Sequence, residues 1–429
     1  MKWFSFIVAL LLLSSLPSCK GSKSNIPVIK NPNDLRQWML DETLKDYDRN
    51  SFGYDLKFIR QRKTPILLYD ENFKGMVLVS ADFQGRVLTS TADGLNGYSF
   101  GWINYDLIGS GENVDHMNGY GGEDRFWLGP EGGQFSLYFK PGTEFVFDNW
   151  QVPYGIDSES FEIVSIGSNE VSLFKKLNLT NYSNTVLDIT VSRQIKLLSP
   201  AAFLYGHGIQ ITDDIKAVGF ESLNIVRNSG QNEWNKTTGM PSIWILGMFK
   251  PSPSATVVIP YKGGPEASMG ALITDDYFGK VPGDRLKMDP NVFYFKADGR
   301  LRSKVGLSTF RAKPVCGSFD EERKVLTIIE YTLPGAPGEY VNSQWKIQDN
   351  PFAGDVVNAY NDGPMENGTQ LGPFYELESS SPAAQLKPGE TLSHTHRTLH
   401  FMGSESRLDA ISRKILGVGL NDIQNAFPQ

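Results

Sequence analysis

The sequence predicts an all-β fold, a large antiparallel assembly of the sandwich or barrel class with short N- and C-terminal helices. Three observations carry this. Short runs alternate apolar and polar residues with a period of two, as half-buried strands do. These runs are rich in β-branched and aromatic residues, which favour a pleated surface. Clusters built from the chain's 42 Gly and 24 Pro punctuate them, whereas a sustained 3.6-residue period is confined to the ends.

In chain order, "MKWFSFIVALLLLSSLPSC" (1–19) has a basic start at Lys2, an apolar run from Trp3 to Leu13 and then small or polar residues. The run is shorter than the ~20 residues needed to span a bilayer and has the layout of a secretory signal. "LPSC" (16–19) resembles a bacterial lipobox, which makes Cys19 the expected lipid anchor. Polar, Pro- and Gly-containing residues 20–32 suit a flexible tether. Residues 33–420 are expected to form a single domain. The expected location is across the inner membrane of a Gram-negative bacterium, lipid-anchored in the periplasm or at the outer membrane.

An N-terminal helix is expected in "NPNDLRQWMLDETLKDY" (31–47), capped by Asn33 or Asp34, with Leu35, Trp38, Met39 and Leu44 on one stripe. Strands are expected at 134–140, 185–198, 242–249, 292–298 and 325–333, separated by turns such as "FKPGTEF" and "LPGAPGEY". "SESRLDAISRKILGVG" should form the C-terminal helix, starting at Ser404 and stopping at Gly417. With Cys19 lipidated, Cys316 has no disulfide partner and reads as a buried small hydrophobe. A net charge of −7 argues against nucleic acid, which wants a basic face. No G-x-S-x-G elbow, P-loop or H-E-x-x-H occurs.

Three stretches then align in order: "ADFQGRVLTSTADGLNGYSFGW" (81–102), "YGGEDRFWLGPEGGQFSLYF" (120–139) and "GPFYELESSSPAAQLKPGETLSHTHRTLHF" (372–401). Together they resemble the galactose-mutarotase-like (aldose 1-epimerase-like) supersandwich superfamily. That resemblance implies a large antiparallel β-supersandwich in which an early Gly-Arg strand and a late Glu strand meet at a carbohydrate groove. It also implies a glutamate base, approximated by Glu378-Ser-Ser-Ser-Pro382, with Glu376 on the same strand face. The superfamily's mid-chain His-Pro segment is absent, and His207 is the central histidine that could stand in for the acid.

"ETLSHTHRTLHF" (390–401) places His394, His396 and His400 on one strand face. If "SSSPAAQLKPGE" (379–390) closes a hairpin, Glu376 and Glu378 would face His394 and His396, supplying acid–base groups with tunable pKa values. The catalytic candidates are therefore Glu378, Glu376, His394, His396 and His207. His394, His396 and Glu378 also form a candidate divalent-metal set, and the oxygen-rich loop 360–368 is a candidate calcium site. Otherwise no cofactor is expected. Arg86, Glu123, Asp124, Arg125, Trp127 and His400 are candidate substrate-binding residues, because charged fans and aromatic faces suit sugars. Trp102, Trp345, Glu131 and His116 are secondary candidates.

The expected partners are a sugar or oligosaccharide, and a membrane through the lipid anchor only. The expected function is a carbohydrate-active lipoprotein whose chemistry is epimerase-like or lyase-like. The alternative is a non-catalytic glycan-binding lipoprotein of a polysaccharide utilisation system.

Overall fold

Eighteen strands are assigned among the described residues of the computed structural model, which are Asp34, 47–365 and 368–427. The expected signal, Cys19, the tether and all of the expected N-terminal helix except Asp34 and Tyr47 lie outside them. Strands β1 (Ile66–Tyr69), β2 (Met76–Ser80) and β3 (Arg86–Thr91) form a small antiparallel sheet. The others are β4 (Arg125–Gly129), β5 (Glu162–Ile166), β6 (Glu170–Thr180), β7 (Val186–Leu198), β8 (Lys216–Asn228), β9 (Ser242–Phe249), β10 (Ala255–Pro260), β11 (Leu286–Asp289), β12 (Val292–Lys296), β13 (Ser303–Ser308), β14 (Val315–Asp320), β15 (Val325–Tyr331), β16 (Asp355–Asn361), β17 (Tyr375–Ser380) and β18 (Thr391–Met402). They build a ten-stranded sheet, β11-β12-β10-β14-β15-β18-β8-β7-β6-β5, and a five-stranded sheet, β13-β16-β17-β9-β4. The all-β, antiparallel class expected from sequence is the class observed.

Alternation explains how the two large sheets stack. In β7, Leu187, Ile189, Val191 and Ile195 are buried, while Asp188, Thr190 and Ser192 are more accessible. In the five-stranded sheet, Phe126, Leu128, Ile243 and Ile245 join the same core as Val191 and Ile195. Val305, Val357, Ala359 and Leu377 pack into a second core with Ile329 and Cys316. These residues define the inner faces of a sandwich held by apolar burial. Cys316 is fully buried there, as expected.

The far face of the ten-stranded sheet is covered by the C-terminal helices. Leu408 and Ile411 of helix Glu405–Ile415 pack on Val258, Leu326, Ile328 and Phe401. Two local expectations change. Residues 134–140 are not a strand: only the isolated pairing Phe139↔Trp150 remains, because this stretch turns to pack its rings against neighbouring aromatics. Helix Phe52–Arg60, capped by Ser51, was not signalled by a long apolar period.

Candidate functional site

The outer face of the five-stranded sheet carries the candidate site. Register sets Arg125 and Trp127 of β4 opposite Leu246 and Trp244 of β9. Met248, Leu246 and Trp244 lie opposite Glu376, Glu378 and Ser380 of β17. Asn358 and Tyr360 of β16 face Glu378 and Glu376, and Lys304 of β13 faces Tyr360. Because alternate residues share a face, all of these lie on the sheet face opposite Phe126, Leu128, Ile243 and Ile245.

Loops rise around this face and enclose a groove of about 930 Å³. Trp244, Lys304, Asn358 and Asp355 line it from the sheet, with Glu131, Tyr277, Phe278, Arg302 and Trp345 from the loops. A smaller recess of about 70 Å³ shares Trp244, Lys304, Arg302 and Trp345 and adds Arg125, Trp127 and Glu376.

Lys304 is the electrostatic hub. Its Nζ donates to Glu378 Oε2 at 2.8 Å, and Trp244 Nε1 donates to the same oxygen at 2.9 Å. Glu378 is all but fully buried, and its Oε1 has no partner among the described residues. It therefore lies beneath the groove lining rather than in it. Arg125 donates to Glu376 at 2.8 Å, yet burial pushes the Glu376 carboxyl up to about 7 against that attraction, with Glu378 adding to the rise. Burial likewise pushes Asp355 up to about 6, opposed by hydrogen bonds from Tyr277 (2.7 Å) and Thr274 (3.2 Å) and by Lys304. Glu131 is raised by burial and opposed first by Lys304. A groove with aromatic faces, one central ammonium and carboxyls shifted toward neutrality can both bind hydroxylated rings and move protons on them.

The histidines are elsewhere. β17 and β18 do not form a hairpin: β17 belongs to the five-stranded sheet, and β18 pairs with β15 and β8 in the other. Ser379, the residue after Glu378, points to the opposite face, where its Oγ bridges His394 Nε2 and His396 Nδ1 at 2.8 Å each. Burial holds these imidazoles down to about 3 and about 4, so they stay neutral. The sheet thus separates them from Glu376 and Glu378, and the proposed metal set His394–His396–Glu378 is not assembled. Among the described residues no group of three or more His, Cys, Asp and Glu side chains is arranged to hold a metal ion; residues 366 and 367 of the candidate calcium loop lie outside them.

His400 is also internal, bonded to Glu123 (2.9 Å) and Thr327 (2.9 Å) and stacked on Phe100. His207 meets Glu330 at 3.0 Å, beside the helix whose Leu204 packs on the covered far face of the ten-stranded sheet. His116 holds the carbonyl of Trp150 at 2.6 Å.

Of the substrate-binding candidates, Arg125 and Trp127 reach the recess. Arg86, Glu123 and Asp124 do not. Arg86 is buried on the carbonyls of Gly121 and Asp157, and burial lowers its guanidinium to about 9. Glu123 accepts from the Ser90 backbone, and Asp124 from Arg193 and Ser222, so both are interior struts. Trp345 lines the groove, whereas Trp102 packs behind it on Met248 and Phe374.

Lys304, Trp244, Asp355, Tyr277 and Arg302 were missed. Lys304 and Arg302 had a readable signal: in "LRSKVGLS" two cations alternate with Val305 and Leu307, as on a half-buried strand. Asp355 had none, because its meaning depends on Tyr277 from a distant loop.

The chain belongs to a family of unknown function (DUF6786), whose profile matches residues 50–427. A search of curated proteins gave no significant match. Among solved structures the chain is similar to the Slr1438 protein of Synechocystis sp. PCC 6803, at 11% identity over 84% of this chain and 100% of that one, with a TM-score of 0.46. It is also similar to galactose mutarotase-like proteins of Lactobacillus casei (10% identity, 79% and 100% covered, TM-score 0.45) and Clostridium acetobutylicum (13%, 77% and 94%, 0.44).

Proposed function

We propose that the groove binds a sugar and exchanges a proton with it, in the manner of an epimerase acting at an anomeric centre. The observation that carries this reading is the arrangement around Lys304: a lining ammonium beside Trp244, with Glu131 and Asp355 in the same groove and Glu376 in the adjoining recess. Opening a sugar ring requires a base at one oxygen and a donor at another. Asp355, with a pKa near 6, is mostly ionised at neutral pH and is assigned as base. Lys304 is assigned as hydrogen-bond donor to the oxygen on which negative charge develops. Glu378, all but fully buried, is a positioning residue that holds Lys304.

NMR exchange spectroscopy of anomers over a monosaccharide panel tests this. The wild type should accelerate exchange for at least one sugar, and Asp355→Asn should cut that rate by about 10²-fold or more. An unchanged rate in Asp355→Asn removes the base.

The second reading is glycan binding without turnover. It is favoured by the near-complete burial of Glu378, the residue that the sequence resemblance marks as base. Sugar binding with no exchange in the wild type would select it. On the strength of "LPSC" at 16–19, the chain is further proposed to be secreted and lipid-anchored through Cys19. Mass spectrometry of the mature N-terminus tests this, and an unacylated Cys19 would refute it.

A further inference from the structure

The cations of the groove are unequally matched. Lys304 is paired with Glu378 and Arg125 with Glu376. Arg302, which lines both the groove and the recess, forms no hydrogen bond or ion pair among the described residues. Its guanidinium carbon sits 4.0 Å from the ring centroid of Phe278, and its buried Nε has no partner. Lys346, exposed at the groove wall, is also free of any ion pair among the described residues.

Partly buried charges are normally compensated, because burial without a partner costs free energy. A planar guanidinium held on an aromatic face, with no donor engaged among the described residues, is preorganised for a two-oxygen anion. Nearby carboxyls do not pair with it. Glu131 attracts it without an ion pair, and Glu376 is already engaged by Arg125.

We propose that the sugar taken by this groove carries an anionic substituent, a carboxylate or a sulfate ester, bound by Arg302 with Lys346 contributing attraction at the wall. This rests on the reading of the groove as a sugar site and narrows it to acidic sugars or acidic glycan ends.

The test is calorimetric titration of the full chain with three probes of one configuration: a neutral hexose, its hexuronate and its 6-O-sulfate. At least one anionic probe should bind more tightly than the hexose, and the two anionic arms distinguish carboxylate from sulfate. Arg302→Gln should weaken the preferred anionic probe by roughly ten- to a hundred-fold, and the hexose by a clearly smaller factor. Arg302→Lys, which keeps the charge but not the fork, should fall between. Equal binding of all three probes, or an equal loss for hexose and anion in Arg302→Gln, overturns the inference while leaving the sugar site standing. If none of the probes binds the wild type, both fail together.

Discussion

Lys304 lies within electrostatic reach of Glu131, Asp355, Glu376 and Glu378. Its bond to Glu378 is nearly dry, with side-chain exposures of 10% and 1%. Removing one partner of such a pair strands the other charge. Lys304→Met is therefore expected to lose about 3–5 kcal/mol in urea unfolding, and the double variant Lys304→Met/Glu378→Gln to recover part of it. Additive losses would show that the pair is not coupled. Asp355 makes a pH prediction. Its folded pKa of about 6 lies above the ordinary 3.8, so the native state holds a proton that the unfolded chain releases between those values. That contribution is present at acidic pH and is lost as pH rises through 6. Asp355→Asn should remove a stability difference between pH 4 and pH 7 on the order of 2 kcal/mol. A pH–stability curve parallel to wild type would contradict the assignment. At this scale the sequence was informative where a residue's face follows from the alternation of its own strand, as with Arg125, Trp127 and Glu376. It was silent where the pKa depends on a loop partner, as for Asp355 and Tyr277.

At the level of elements, β18 shows what alternation can and cannot tell. His394, His396, Thr398 and His400 do share a face, as period two requires, and all are buried. Which sheet receives that strand is decided by β15 and β8, far away in sequence. The segment from 381 to 390 therefore crosses between sheets instead of closing a hairpin. The histidine row became internal packing, anchored by Ser379, Glu123 and Thr327, with His394 Nδ1 and His396 Nε2 left without a partner among the described residues. Ser379→Ala should accordingly destabilise the fold by about 1–3 kcal/mol by leaving two imidazoles unpaired. Sugar exchange per folded molecule should not change, although the neighbouring residue is Glu378. A selective loss of exchange at unchanged stability would put the histidines back into the chemistry. The segment 134–140 failed as a strand for a related reason. Its rings serve separate aromatic contacts, Phe135 on Phe352, Tyr138 on Trp150 and Phe139 on Trp345, rather than a ladder.

Across the sandwich, distant segments do converge. Arg125 and Glu376 meet at 2.8 Å across 251 residues, and Glu123 and His400 at 2.9 Å across 277. The first contact faces the groove and the second faces the interior. Composition and periodicity could indicate the strands and the order of the three patches, but not that one sheet would part their polar residues into two separate networks. A ligand confined to the groove binds only the folded chain, so it should stabilise the whole sandwich by mass action, by about 2.7 kcal/mol at a hundred times Kd. A melting temperature insensitive to saturating sugar would speak against a native-state site. The most direct measurement is a crystal structure after soaking with the tightest-binding sugar. The account predicts a sugar ring on Trp244, with one oxygen within hydrogen-bond reach of Lys304 Nζ and a hydroxyl at the Asp355 carboxylate. A ligand seated elsewhere, with Lys304 still bonded only to Glu378, would contradict it.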